Sequence, residues 1–177
     1  MRNLTLRRAD VLKLIDMTAR PFDAMIMRAQ APWPHRDSGR QWGEFTSEDA
    51  YRVALVHALI RQGRSYEQAG SAVRSVFADL LDIETEAHGD LLLGSFITES
   101  PPDEEAVVRM QLSFVAAESD WFAELQRQRS AMGPGDHLLA FSAVNATAVM
   151  RRTLAKADAA GLRDDRLDHL AKKVRAL

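Results

Sequence analysis

Apolar positions recur at helical spacing from the first residues onward. Val11, Leu12, Leu14 and Ile15, with Asp10, Lys13 and Asp16 between them, predict a helix over 7–17, preceded by the short alternating stretch Leu4-Thr5-Leu6. Pro21 disfavours helical geometry at Arg20 and suits the first position of a new helix. A second helix is therefore expected over 21–30, burying Phe22, Met25 and Ile26 and ending before Ala31-Pro32-Trp33-Pro34. Two short helices joined by a few residues form a helix-turn-helix unit. The stretch 35–45 holds the turn signal Asp37-Ser38-Gly39 and reads as a small two-stranded hairpin with its tip at 37–39.

Thr46-Ser47-Glu48-Asp49 sets a hydroxyl three residues before an acid, ahead of an apolar run, and predicts a capped helix N-terminus. That helix, over 47–62, buries Tyr51, Leu55, Ala58 and Leu59 and breaks at Gly63. Ser65 and Gln68 open another, carrying Ala69, Val73, Val76, Phe77, Leu80 and Leu81 until the pattern loosens near Glu84. Beyond it, Leu91 to Thr98 is a short apolar run between breakers and reads as a buried strand. The stretch 106–117 fits a strand or a helix, and the strand is preferred. A helix is expected over 119–131 with Trp121, Phe122 and Leu125 apolar, a strand over 137–144, a helix over 146–160 closing at Gly161, and a last helix over 163–176.

Composition narrows the class. The chain has 177 residues, 46% apolar, and no cysteine, which excludes a disulfide framework, a thiolate nucleophile and cysteine-ligated zinc. No run of about 18 uncharged apolar residues occurs, so no membrane span is expected. The opening residues lack a signal peptide's apolar stretch, and a soluble, cytoplasmic protein is expected. Charge is unevenly divided: residues 1–80 carry 12 basic and nine acidic side chains, residues 81–177 carry 11 and 16. Nineteen of the 23 basic residues are arginine. That bias reflects either the base composition of the gene or recognition of phosphate and guanine by guanidinium groups. The chain divides most naturally into 1–84 and 85–177.

The run Arg40-Gln41-Trp42-Gly43-Glu44-Phe45-Thr46-Ser47-Glu48-Asp49-Ala50-Tyr51-Arg52 looks like the wing-to-helix junction of the MerR family, and Leu59 to Ala69 is similar to that family's passage from helix end through glycine to a capped helix. The chain thus resembles a MerR-like winged helix-turn-helix over about residues 4–80. Typical members carry a Thr-Leu-Arg-Tyr-Tyr-like run in the second helix, where this chain has Phe22-Asp23-Ala24-Met25-Ile26-Met27-Arg28. The cysteines by which some members sense metals are absent.

The resemblance implies an α+β, mainly helical protein. A winged helix-turn-helix DNA-binding domain would be followed by a small C-terminal domain with a few strands and about three helices. It implies a DNA-binding transcriptional regulator acting on double-stranded DNA as a homodimer. The same fold serves phage excisionases and architectural DNA-binding proteins. Arg20, beside the free N–H groups of the second helix, would face the duplex backbone, and Arg28 would reach a base edge or flanking phosphate. His35, Arg36 and Arg40 would follow the neighbouring backbone or minor groove, with Trp42 pinning the wing. Arg52, Arg61 and Arg64 are candidates for outer phosphate contacts.

Other chemistries find less support. The five histidines show no two-ligand spacing, so no metal is expected, and His57 reads as a half-buried polar residue. No nucleophile elbow or phosphate loop is present; no catalytic residue, no cofactor and no enzyme activity are expected. The acidic second half is expected to dimerise, sense a signal or contact a partner, with an unknown small-molecule or protein effector. The alternative is an antitoxin-like adaptor that does not bind DNA.

Overall fold

A computed structural model describes residues 3–15, 17–28, 30–33, 43–83, 88–99, 109–133 and 135–176. The chain is α+β, with seven α-helices and two small sheets among the described residues. In order these are β1 (Leu6–Arg7), α1 (Arg8–Leu14), α2 (Ala19–Met27), β2 (Glu44–Phe45), α3 (Ser47–Ile60), α4 (Tyr66–Asp82), β3 (Leu91–Glu99), β4 (Arg109–Ala117), α5 (Trp121–Ser130), β5 (His137–Asn145), α6 (Ala146–Ala160) and α7 (Asp165–Lys173). A single 3-10 turn, Glu118–Asp120, leads into α5.

Local chemistry sets most of these boundaries. The Thr46 hydroxyl accepts from the Asp49 N–H while the Asp49 carboxylate accepts from the Thr46 N–H at 2.8 Å, the reciprocal cap the spacing predicts. Ser65 and Gln68 do the same for α4. Gly161, at φ +66°, ends α6 in the left-handed geometry that glycine adopts without strain. One start differs from expectation: α2 begins at Ala19, so Arg20 lies inside the helix. Pro21 falls in the first turn, where its missing N–H breaks no helical bond.

Helix α3 is the axis of the molecule. Ala50, Tyr51, Val53, Leu55, Val56 and Leu59 are all buried, leaving little of its circumference for water, as befits a helix apolar on nearly every side. Around it stand α1, α4, α6 and α7, with β5 against its C-terminal half. The apolar core does not break at residue 84: Phe22, Val53, Phe77, Leu93, Met150 and Leu170 belong to one cluster.

Buried polar groups tie distant segments within it. The Tyr51 hydroxyl donates to the Ala146 carbonyl at 3.0 Å. The Thr147 hydroxyl donates to the Val174 carbonyl at 2.7 Å and accepts from the Leu91 N–H at 2.8 Å. Asp164 caps α7 and also accepts from Ser47 Oγ and the Leu4 N–H.

The larger sheet runs β4-β3-β5, antiparallel throughout, with an irregularity in the β3–β5 register between Ile97 and Thr98. Pairing with β3 from Glu99↔Arg109 to Leu91↔Ala117 makes 109–117 a strand, as preferred. Leu91 and Leu93 face the helical core. On the opposite face Phe96, Phe114 and Phe141 form an aromatic layer, with Trp121 of α5 stacked on Phe114 at 5.0 Å. Gly94 makes room for it, since a Cβ there would lie 2.4 Å from the Phe114 ring. Phe122, expected on an apolar helix face, is instead exposed.

The smaller sheet pairs Leu6 with Phe45 and Arg7 with Glu44. The expected hairpin tip at 37–39 lies outside the described residues. No helix among the described residues is long and apolar enough to cross a membrane.

Candidate nucleic-acid interface

The inward side of α2 is fixed by Phe22 and Met25, both fully buried, with Phe22 edge-on to Phe45 at 5.6 Å. Helical spacing then turns Arg20, Ala24, Met27 and Arg28 outward on one face. Arg20 and Arg28 are exposed, and Met27 is 84% exposed, unusual for so large an apolar side chain. The one acid of this helix, Asp23, is engaged by Arg8 of α1, whose Nε and a terminal nitrogen each donate to its carboxylate at 2.6 Å. These bonds hold Asp23 below the usual carboxylate range and raise Arg8 in turn. The α2 surface is therefore basic and apolar, with its negative charge matched.

The segment leaving α2 is fastened down. Arg74 of α4 donates to the Ala31 carbonyl at 2.6 Å and Arg52 of α3 to the Pro32 carbonyl at 3.2 Å. Trp33 packs edge-on against Phe45 at 5.9 Å. Gly70 lets the chain lie directly on α4, because a Cβ there would stand 2.2 Å from the Gln30 carbonyl oxygen.

The residues expected at the duplex separate into three groups. Arg20 and Arg28 share the exposed face of α2. Arg52 and Arg64 do not join them. Arg52 is spread over the Phe77 ring at 3.7 Å and bonded to Glu48, with only 14% of its side chain exposed, so it positions the α2 exit instead of facing phosphate. Arg64 is 5% exposed and points under the sheet, where it donates to the Ser95 and Ala140 carbonyls. Burial lowers its pKa, and its Nε has no hydrogen-bond partner among the described residues. His35, Arg36, Arg40 and Trp42 lie outside the described residues. Arg8 was missed in the sequence, because nothing in its spacing points to Asp23, 15 residues away.

Two openings lie away from α2. A narrow cleft between α3 and α6, closed on one side by Leu14 and Ile15 at the end of α1, is lined by His57, Arg61, Arg152 and Lys156. An open groove of about 380 Å³ runs between α5 and β4, with Val115, Ala117, Ala123 and Glu124 in its walls. Among the described residues no group of three His, Asp or Glu is placed to hold a metal ion. No protein-family model matches the chain, and no curated protein matches it either.

Proposed function

We propose that the protein binds double-stranded DNA and acts as a transcriptional regulator of MerR-like winged helix-turn-helix type, with α2 as the groove-facing helix. The observation that carries this reading is the outward face of α2: two exposed arginines flank an exposed methionine, and Arg8 matches the neighbouring acid. Guanidinium groups neutralise phosphates or bond guanine, and an apolar side chain suits the thymine methyl in the major groove. The exit of α2 is itself clamped at Ala31 and Pro32, by Arg74 and Arg52. Arg52 and Arg64 are supports in this reading and not contacts.

The regulator acts as a homodimer on two half-sites. Leu138, Leu139 and Phe141 support a meeting of copies at β5, since they are 43%, 49% and 41% exposed on a sheet edge. The same apolar edge would serve a different protein in the second reading, an adaptor that does not touch DNA. Signal input through the second half would show as a ligand-induced rise in melting temperature of the full chain.

Fluorescence anisotropy with a random duplex at rising salt separates the two readings. Affinity is expected to fall steeply with salt, and Arg20→Glu with Arg28→Glu to weaken binding and flatten the log–log slope by roughly 2. Unchanged binding by that variant, with an unchanged melting temperature, would remove α2 from the interface.

A further inference from the structure

The cleft between α3 and α6 gathers positive charge from two helices. His57 on α3 and Arg61 at its C-cap stand one turn apart, as do Arg152 and Lys156 on α6; all four line the same opening. Packing α3 on α6 brings two arginines and a lysine to one opening. Several other arginines are matched locally by acids: Arg8 by Asp23, Arg52 by Glu48, Arg127 by Glu124, Arg163 by Asp158 and Asp168. Among the described residues that line the cleft there is no carboxylate. His57 and Lys156 make interactions of their own, so the weight falls on Arg61 and Arg152, both exposed at the rim.

We infer that this cleft is a phosphate-binding site, with Arg61 and Arg152 as the paired donors. Its size selects the ligand. The enclosed part of the cleft, about 40 Å³, is far below the roughly 300 Å³ at which sites for whole small molecules begin, so it seats a single small anionic group, and the rest of any larger molecule that carries the group lies outside. Arginine supplies the fork of N–H donors that matches phosphate oxygens. The group could be carried by a duplex backbone or be free phosphate. The inference does not require α2 to contact DNA.

The test uses the full chain and an Arg61→Gln/Arg152→Gln variant, with Arg61→Lys/Arg152→Lys as the charge-conserving control. In the first arm, melting temperature is followed with sodium phosphate against sodium chloride at equal ionic strength. In the second, random-duplex affinity is followed against salt. A phosphate-specific rise, lost in the glutamine variant and kept at least partly in the lysine one, supports the site with free phosphate as occupant. No such rise, but a duplex salt slope shallower by roughly 2 in the glutamine variant, supports it with backbone phosphate as occupant. Neither effect, with the glutamine variant folded as judged by its melt in chloride, overturns the inference. The Arg20→Glu/Arg28→Glu protein keeps the two ideas apart, since loss of its duplex binding with retained phosphate response touches only the reading of α2.

Discussion

Replacing Asp164 by alanine is expected to cost more than any single helix cap, because its carboxylate joins three segments. It is 3% exposed, and its Oδ1 accepts from the Leu167 N–H at 2.8 Å and from Ser47 Oγ at 2.9 Å. Its Oδ2 accepts from the Leu4 N–H at 3.0 Å. Loss of the cap alone costs about 1 kcal/mol. The Ser47 hydroxyl, fully buried, and the Leu4 N–H then lose a charged acceptor, at roughly 1–2 kcal/mol each. The total is about 3–5 kcal/mol, a large part of the roughly 5–15 kcal/mol that holds a domain together.

Urea denaturation followed by circular dichroism reads this directly. With a slope of about 2 kcal/mol per molar, the midpoint falls by roughly 2 M. Asp164→Asn is expected to cost less, because the amide oxygen keeps two of the bonds and only its NH2 opposes the Leu4 N–H. Ser47→Ala alone costs about 1 kcal/mol. Added to Asp164→Ala it should cost nothing more, since the hydroxyl it removes is already stranded. A loss below about 1 kcal/mol for Asp164→Ala, or strict additivity with Ser47→Ala, would refute the reasoning.

Other outcomes follow from features already described. Gly70→Ala should destabilise by about 1–3 kcal/mol, although alanine is the better helix former, because its Cβ would meet the Gln30 carbonyl; a rise in melting temperature would contradict the close approach. Burial raises the pKa of Tyr51, so the folded state holds its proton where the unfolded chain releases it near 10.0. Stability should therefore fall as pH climbs above that value, and Tyr51→Phe should remove this contribution, as measured by urea midpoints across alkaline pH. Asp23, held low by Arg8, contributes stability above the ordinary carboxylate range that fades as pH falls through it. Asp23→Asn should flatten that acid limb and, by freeing Arg8, tighten duplex binding in the anisotropy assay. Residues 1–84 alone would expose the side of α3 that α6 and α7 cover, and are expected to melt without the full chain's cooperativity in calorimetry.

Helix caps and strand limits were legible where the chemistry is local. Thr46 with Asp49, Ser65 with Gln68, and Gly161 each act within one turn, so spacing alone declares them. The stretch 109–117 was ambiguous because its apolar residues satisfy either period, and only pairing along β3 decides between them. Arg64 could not be read at all. An arginine after a helix is ordinarily a surface charge, and the carbonyls that draw it inward belong to Ser95 and Ala140, 31 and 76 residues away. Trp121 and Phe122 show the same limit: neighbours on a helix, they part according to where the Phe114 ring stands, which no periodicity encodes. Of the candidate interface, the sequence marked Arg20 and Arg28, while the pairing of Arg8 with Asp23 depended on how α1 meets α2.

Helix α3 has one further implication. It carries Arg52 near its middle, gripping the chain that leaves α2, and Arg61 just beyond its C-terminal end, at the mouth of the α3–α6 cleft. Nine residue steps of rigid helix, a rise of about 14 Å, hold these points apart, and neighbours press on it from several sides. The gap between the two surfaces is thus built in like the jaws of a caliper. A molecule touching both must already have the matching dimension, and one that misses by a few ångströms will find little give.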